Sequence, residues 1–145
     1  MDKIIAMGCD HAAFDLKERL KKYLQEQGYE VRDFGCFSSE SVDYPDMIHP
    51  LAKEINAGKI ARGIILCGSG IGVSMVANKY PKVRCALCCN VELAKLCRQH
   101  NDANVLSLGA RFISEKEALE MVDTFLNTPF EGGRHQGRVE KIAGM

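Results

Sequence analysis

The 145-residue chain lacks an excess of either charge, a long apolar run and a paired-cysteine framework, and each absence removes a class of function. Its 19 Lys and Arg balance 19 Asp and Glu. No long-range field therefore draws it to nucleic acid or an anionic membrane, and its basic residues must act locally, on a small anion. No stretch approaches the roughly 18 uninterrupted apolar residues of a membrane span. The first residues, Met1 to Ala6, run straight into a strand-like pattern without the apolar core of a secretion signal. A soluble, cytoplasmic protein is expected. Seven cysteines are many for this length, but the number is odd, and positions 9, 36, 67, 85, 88, 89 and 97 form no repeated CxxC with histidines at zinc spacing. Reduced thiols and no metal site are expected. Cys85 and Cys88 lie in a strand-like run, where neighbours three apart point to opposite faces, so they read as packing residues.

What is present is an alternation. Apolar strand-like runs at Lys3–Cys9, Glu30–Phe34, Ile60–Cys67, Val83–Cys89 and Asn104–Leu108 are separated by helical patterns. The spacing predicts helices over Phe14 to Gly28, from Pro45 to about Gly58, over Val73 to Asn78, over Glu92 to His100, and from an N-cap at Ser114 to about Asn127. This pattern is that of one domain, residues 1–145, built as a three-layer α/β/α sandwich on a five-stranded parallel, Rossmann-like sheet. After Pro129 the chain becomes glycine-rich and basic, with a final helical turn or two expected at Val139 to Ile142. The arginines of this tail, about 129–145, suggest that it docks on something.

The run Ile64-Ile65-Leu66-Cys67-Gly68-Ser69-Gly70-Ile71-Gly72-Val73 ends a buried strand in a cysteine and then a glycine-rich turn that opens a helix. Glycines allow close backbone approach to a ligand, and the unpaired N–H groups of a helix start favour negative charge. In parallel sheets, ligands bind at the carboxyl ends of the strands, where Cys67 would lie. A dinucleotide fingerprint requires a third glycine where Val73 stands, and a thiol phosphatase loop requires an arginine at that same position. Both readings fail there. Cys9-Asp10-His11 closes the first strand and belongs at the same edge; Asp10 and His11 read as an N-cap and its neighbour or as ligands for substrate hydroxyls or phosphate. Arg98 to Asn104 forms another polar cluster, at the start of a strand, and contains His100 and Asn101. Arg111, Arg134 and Arg138 offer guanidinium forks for a phosphate, and the last two, four apart, share a face on a helical turn. His49 reads as a helix-surface residue without function.

Together, Gly8-Cys9-Asp10-His11, Ser38-Ser39-Glu40 through Asp43-Tyr44-Pro45, Cys67 to Gly72, Ala77-Asn78-Lys79, Arg98 to Asp102, and Glu131 to Gln136 with Arg138 resemble the type B ribose-5-phosphate isomerases. That family also contains allose-6-phosphate and galactose-6-phosphate isomerases. The resemblance runs nearly the whole length. It implies interconversion of an aldose phosphate and a ketose phosphate through an enediolate, without metal or organic cofactor. It implies Cys67 as base, Ser69 and the N–H groups of Gly68, Gly70, Ile71 and Gly72 as stabilisers of the enediolate, and His100 as ring-opening acid/base. Asp10, Tyr44 and Asn101 would hold hydroxyls; His11, Arg111, Arg134 and Arg138 would hold phosphate; His135 would line the site near Asp10. The resemblance also implies a homodimer or a homotetramer with active sites shared between chains, the basic tail reaching across. Ser69 departs from the family's frequent threonine, keeping the hydroxyl and losing a methyl. Ribose 5-phosphate is the leading substrate, a six-carbon sugar phosphate the rival, and a non-catalytic sugar-phosphate binding subunit or a thiol phosphatase the alternatives from other classes.

Overall fold

A computed structural model describes residues 3–144. Five strands, β1 (Ile4–Cys9), β2 (Glu30–Asp33), β3 (Arg62–Cys67), β4 (Cys85–Leu87) and β5 (Val105–Gly109), form one all-parallel sheet in the order β2-β1-β3-β5-β4. Between and after them lie α1 (Phe14–Glu26), α2 (Tyr44–Asn56), α3 (Ile71–Ala77), α4 (Val91–Gln99), α5 (Glu115–Asn127) and α6 (Arg134–Glu140), with a 3-10 turn at His11–Ala13. Among the described residues no helix is long and apolar enough to cross a membrane.

The two-residue period of the central strands sorts their side chains between two cores. Ile5, Met7 and Cys9 of β1, Ile64 and Leu66 of β3, and Leu106 and Leu108 of β5 pack under α1, α4 and α5. Ala6, Ile65, Cys67 and Val105 face the other way, onto Ile48, Leu51 and Ile55 of α2 and Val73 and Ala77 of α3. The three-layer α/β/α sandwich read from the alternation is the architecture observed. Cys85 and Cys88 indeed belong to opposite faces, Cys85 against the α2/α3 core and Cys88 in the other.

Two expectations are corrected. The run Val83–Cys89 yields only three residues of strand, because β4 is an edge strand with β5 as its one neighbour, and the chain turns away at Asn90 to cap α4. In the tail, helix begins at Arg134 rather than Val139, after Gly132 and Gly133 turn the chain with φ of +69° and +54°. None of its residues is buried, so α6 takes no part in either core.

The chain leaves β1 to one side for β2 and crosses to the other side for β3. That reversal opens a crevice at the carboxyl ends of β1 and β3, the place where parallel sheets bind ligands. Cys9-Asp10-His11 and Cys67-Gly68-Ser69 both sit there.

Candidate active site

At the carboxyl edge, the Cys67 thiol is 6% exposed and accepts the Gly70 N–H at 3.1 Å, so the loop curls back to set a backbone dipole on the sulfur. Gly70 has φ of +78°, and a Cβ on it would sit 3.0 Å from the backbone of Leu108, so only glycine makes this turn. The Ser107 hydroxyl, fully buried, donates to the Gly70 carbonyl at 2.7 Å and pins the loop to β5. Ser69 Oγ accepts the Ile71 N–H at 3.2 Å, which leaves its own hydrogen free to donate. Gly72 and Val73 follow in the first turn of α3, where N–H groups have no partner within the helix.

Four further candidates surround this loop. Arg111 lays its guanidinium over Gly68, within 2.9 Å of where a Cβ would be, and the Tyr44 ring lies on Gly72 in the same manner, its hydroxyl 2.7 Å away. Asp10 caps the 3-10 turn through the Ala13 N–H at 3.2 Å. His11 Nδ1 accepts the Val42 N–H at 3.2 Å, which puts the ring hydrogen on Nε2 as a donor. The other thiol at this edge, Cys9, is fully buried, 3.7 Å from Cys36. Burial and that neighbour push its pKa far up, so it stays a protonated packing group.

Lys17, with no exposed surface, braces the edge from behind. Its ammonium lies 2.8 Å from both oxygens of Asp33 and 2.6 Å from the Cys36 carbonyl, while Asp33 also accepts the Gly35 N–H at 2.9 Å. Burial works against the Asp33 carboxylate, but these partners and Lys21 hold its pKa below the ordinary carboxyl value.

The other candidates gather elsewhere. His100, Asn101, Arg134, His135 and Arg138, with Val139 and Ile142, line a 420 Å³ cavity at the amino edge of the sheet. The expectation that Arg134 and Arg138 face the same way holds, since α6 carries both to that cavity. His100 closes α4, and the turn after it is clamped by Arg98, 3% exposed. Its guanidinium donates to Asp102 at 2.8 Å, to the Ala103 carbonyl at 2.7 Å and to the Thr128 carbonyl at 3.1 Å. Arg84 grips Asp102 from the other side, and Asp102 holds φ of +48°. Sequence reasoning passed over Glu131, whose Oε1 lies 3.5 Å from His135 Nε2 and 3.9 Å from His100 Nε2. The signal was its i, i+4 spacing from His135. His49, read as a helix-surface residue, lies on α2 and its Nδ1 meets the Tyr80 hydroxyl at 2.7 Å.

One chain does not bring the two groups together. Cys67 pairs with Gly109 and Gly63 with Val105, so four strand steps, roughly 13 Å, separate the edge of Cys67 from the edge that His100 precedes. His135 correspondingly stacks on His100, with ring centroids 4.4 Å apart, and does not line a site with Asp10 of its own chain, because Asp10 follows the carboxyl end of β1.

Comparison with known proteins gives the family. A family model described as Ribose/Galactose Isomerase matches residues 5–142. Ribose-5-phosphate isomerase B of Escherichia coli is 44% identical over 143 residues, covering 99% of this chain and 96% of that protein. D-erythrulose-4-phosphate isomerase of Pectobacterium atrosepticum is also 44% identical, covering 95% of this chain and 91% of that one. A crystal structure of ribose-5-phosphate isomerase B from Mycoplasma genitalium with bound ribulose-5-phosphate superposes with a TM-score of 0.93 at 38% identity, covering 97% and 94% of the two chains. On this fold, this loop and these matches, the chain belongs to the ribose/galactose isomerase family and is a sugar-phosphate isomerase.

Proposed function

We propose that the chain interconverts ribose 5-phosphate and ribulose 5-phosphate through an enediolate, without metal or organic cofactor, at sites completed by a second copy of itself. The observation that carries this reading is the Cys67 sulfur, held by the Gly70 N–H at the carboxyl end of the central strand and beside the first turn of α3. As thiolate, Cys67 takes the proton from C2 of the open-chain aldose and returns it to C1, while the O2 hydroxyl proton passes to O1, giving the ketose. The Gly70 N–H is committed to the sulfur and the Ile71 N–H to Ser69 Oγ. The growing oxyanion is therefore met by the Ser69 hydroxyl and the first-turn N–H groups of Gly72 and Val73, with Gly68 allowing close approach. Asp10 and Tyr44 hold sugar hydroxyls, and His11 Nε2–H and Arg111 take the phosphate from the same chain.

The second copy supplies its amino edge: His100 to open the ring, Asn101 for a hydroxyl, Arg134 and Arg138 for the phosphate, His135 as a wall. The tail, about 129–145, is the part that reaches across. Exposed apolar surface supports such pairing. Ile71, Leu87 and Phe112, the last 76% exposed, flank a 420 Å³ apolar groove beside the Cys67 loop. A homodimer is the minimal assembly, which can pair into a tetramer, in the cytoplasm.

The name of the Escherichia coli relative and the ribulose-5-phosphate in the Mycoplasma structure support the five-carbon substrate. A four-carbon reading has equal identity behind it in the Pectobacterium relative, and allose 6-phosphate and galactose 6-phosphate remain the six-carbon rivals. Turnover of ribose 5-phosphate, D-erythrulose 4-phosphate, allose 6-phosphate and galactose 6-phosphate, compared by kcat/KM with chelator present, tests it. Ribose 5-phosphate should lead; preference for another sugar moves the assignment, and no turnover of any overturns it.

A further inference from the structure

The tail meets the end of α4 through one backbone bond, Glu131 N–H to the Gln99 carbonyl at 3.1 Å, and three side chains converge beside it. The available ligand atoms of His100, Glu131 and His135 all lie within 4.8 Å of one another. Zinc binds imidazole nitrogen and carboxylate oxygen at about 2.0–2.2 Å, so two ligands on one tetrahedral ion stand roughly 3.4 Å apart. The Glu131 carboxylate is already 3.5 Å from His135 Nε2 and 3.9 Å from His100 Nε2. The two rings are stacked, with planes 15° apart, so a shared ion requires one of them to turn. His135, 12% exposed, is the fixed arm, and His100, 40% exposed, is the one free to move.

The surroundings select the kind of ion. Arg134 and Arg138 line the same cavity, and the cluster has one carboxylate, so no negative field gathers hard cations. Magnesium and calcium, which need several oxygen ligands, do not fit; an ion held by directed bonds to imidazole does. Three protein ligands with an open side toward the cavity leave a position for water or a phosphate oxygen.

We propose that His100, Glu131 and His135 form a binding site for zinc or a similar imidazole-seeking divalent ion, and that metal held there inhibits the enzyme by withdrawing His100 from ring opening. The binding half rests on the geometry of one chain; the inhibitory half rests on the role given to His100 above.

Calorimetry with zinc alone, on metal-stripped protein carrying Cys67→Ala and Cys89→Ser to remove competing thiols, tests the first half. One ion should bind per chain, about tenfold or more weaker after Glu131→Gln is added. Cobalt in its place should show visible ligand-field bands without the strong near-ultraviolet absorption of a thiolate ligand. No binding, unchanged affinity in Glu131→Gln, or a thiolate band overturns the site. With the cysteines restored, zinc should slow ribose 5-phosphate turnover reversibly to chelator. Relative to its own metal-free rate, Glu131→Gln should need about tenfold more zinc for the same fractional inhibition. Zinc bound with turnover unchanged overturns the inhibitory half, whereas absence of turnover even in chelator is a failure of the proposed function and leaves the calorimetric result standing.

Discussion

The two edges of the sheet carry the two halves of the proposed site, and they are built in opposite ways. At the carboxyl edge, Asp10, Cys67 and the glycine loop leave directly from the ends of β1 and β3, so the sheet register itself places them. At the amino edge, the corresponding groups come from the turn after α4 and from a tail that buries none of its helix. Each edge has a buried cation as its brace. Lys17 ties Asp33 to the Cys36 carbonyl, and Arg98 joins Asp102, Ala103 and, 30 residues away, Thr128. The proposed base, Cys67, is thus positioned by the core of one chain, whereas His100, proposed for ring opening, and the tail arginines proposed for phosphate stand outside both cores, where a second chain can use them.

The largest effect tests that division. Cys67→Ala should lower turnover by about 10³-fold or more while leaving thermal stability and calorimetric binding of ribose 5-phosphate nearly intact. Loss of binding along with turnover would make the thiol a structural group instead. His100→Asn should cost about 10²-fold with ribose 5-phosphate, which arrives mostly as a ring, and much less with an open-chain analogue that cannot cyclise. Equal losses with the cyclic sugar and the open-chain analogue would remove the ring-opening role. Mixing the two variants sharpens the comparison further. If each site takes one edge from each chain, hybrid dimers regain one intact site, and a 1:1 refolded mixture recovers about a quarter of the parent activity. A mixture no more active than its components would place the whole site within one chain.

The same contrast explains what was legible in the residues alone. The carboxyl edge could be read because a strand, a cysteine, a glycine turn and a helix start are consecutive in the chain, and local rules locate all of them. The amino edge could be read only as a set of polar residues and by family resemblance. No local rule places Glu131 against His100, since that depends on the Glu131 N–H to Gln99 carbonyl bond between distant segments. The helix expected at Val139 begins at Arg134 for a related reason: Gly132 and Gly133 turn the chain so that Arg134 can start it, and glycine content reads locally as loop. Lys17 was equally hidden, its charge arguing for the surface until Asp33 is seen beside it.

The braces themselves give the next smaller effect. Asp33→Asn leaves the buried Lys17 with only the half-exposed Glu18 carboxylate, 3.3 Å away, as counter-charge and should cost about 3 kcal/mol. The pH dependence follows from the depressed carboxyl: stability from Asp33 is fully present above the ordinary carboxylate range and is lost as pH falls through its lowered pKa in the fold. Denaturant midpoints of parent and Asp33→Asn should therefore stay a constant distance apart near neutrality and converge below about pH 4. Because this brace holds the Gly35–Cys36 segment at the carboxyl edge, the variant should lose kcat with the rate of proteolysis in the exposed tail unchanged. Faster cutting of the tail would mean that the two edges are mechanically coupled.

Helix α5, like the crossover helices, spans both edges, starting after the Arg111 loop and ending beside Thr128, where Arg98 takes hold. Its start is fixed by a reciprocal cap: Glu117 N–H donates to Ser114 Oγ at 3.1 Å, and the Ser114 N–H donates to the Glu117 carboxylate at 2.9 Å. The Ser114 N–H first, and its hydroxyl after it, hold the exposed Glu117 carboxyl below its usual pKa. Ser114→Ala removes one of the pair and should cost about 1 kcal/mol, read as a fall of roughly 3 °C in Tm. Five buried side chains, Ala118, Met121, Val122, Phe125 and Leu126, keep the rest of the helix on the sheet, so its far end should not move. Turnover should therefore stay at the parent level for both cyclic and open-chain substrate. A loss confined to the cyclic sugar would show that fraying at the carboxyl edge travels through α5 to Thr128 and the His100 turn, and the two edges would then have to be treated as one mechanical unit.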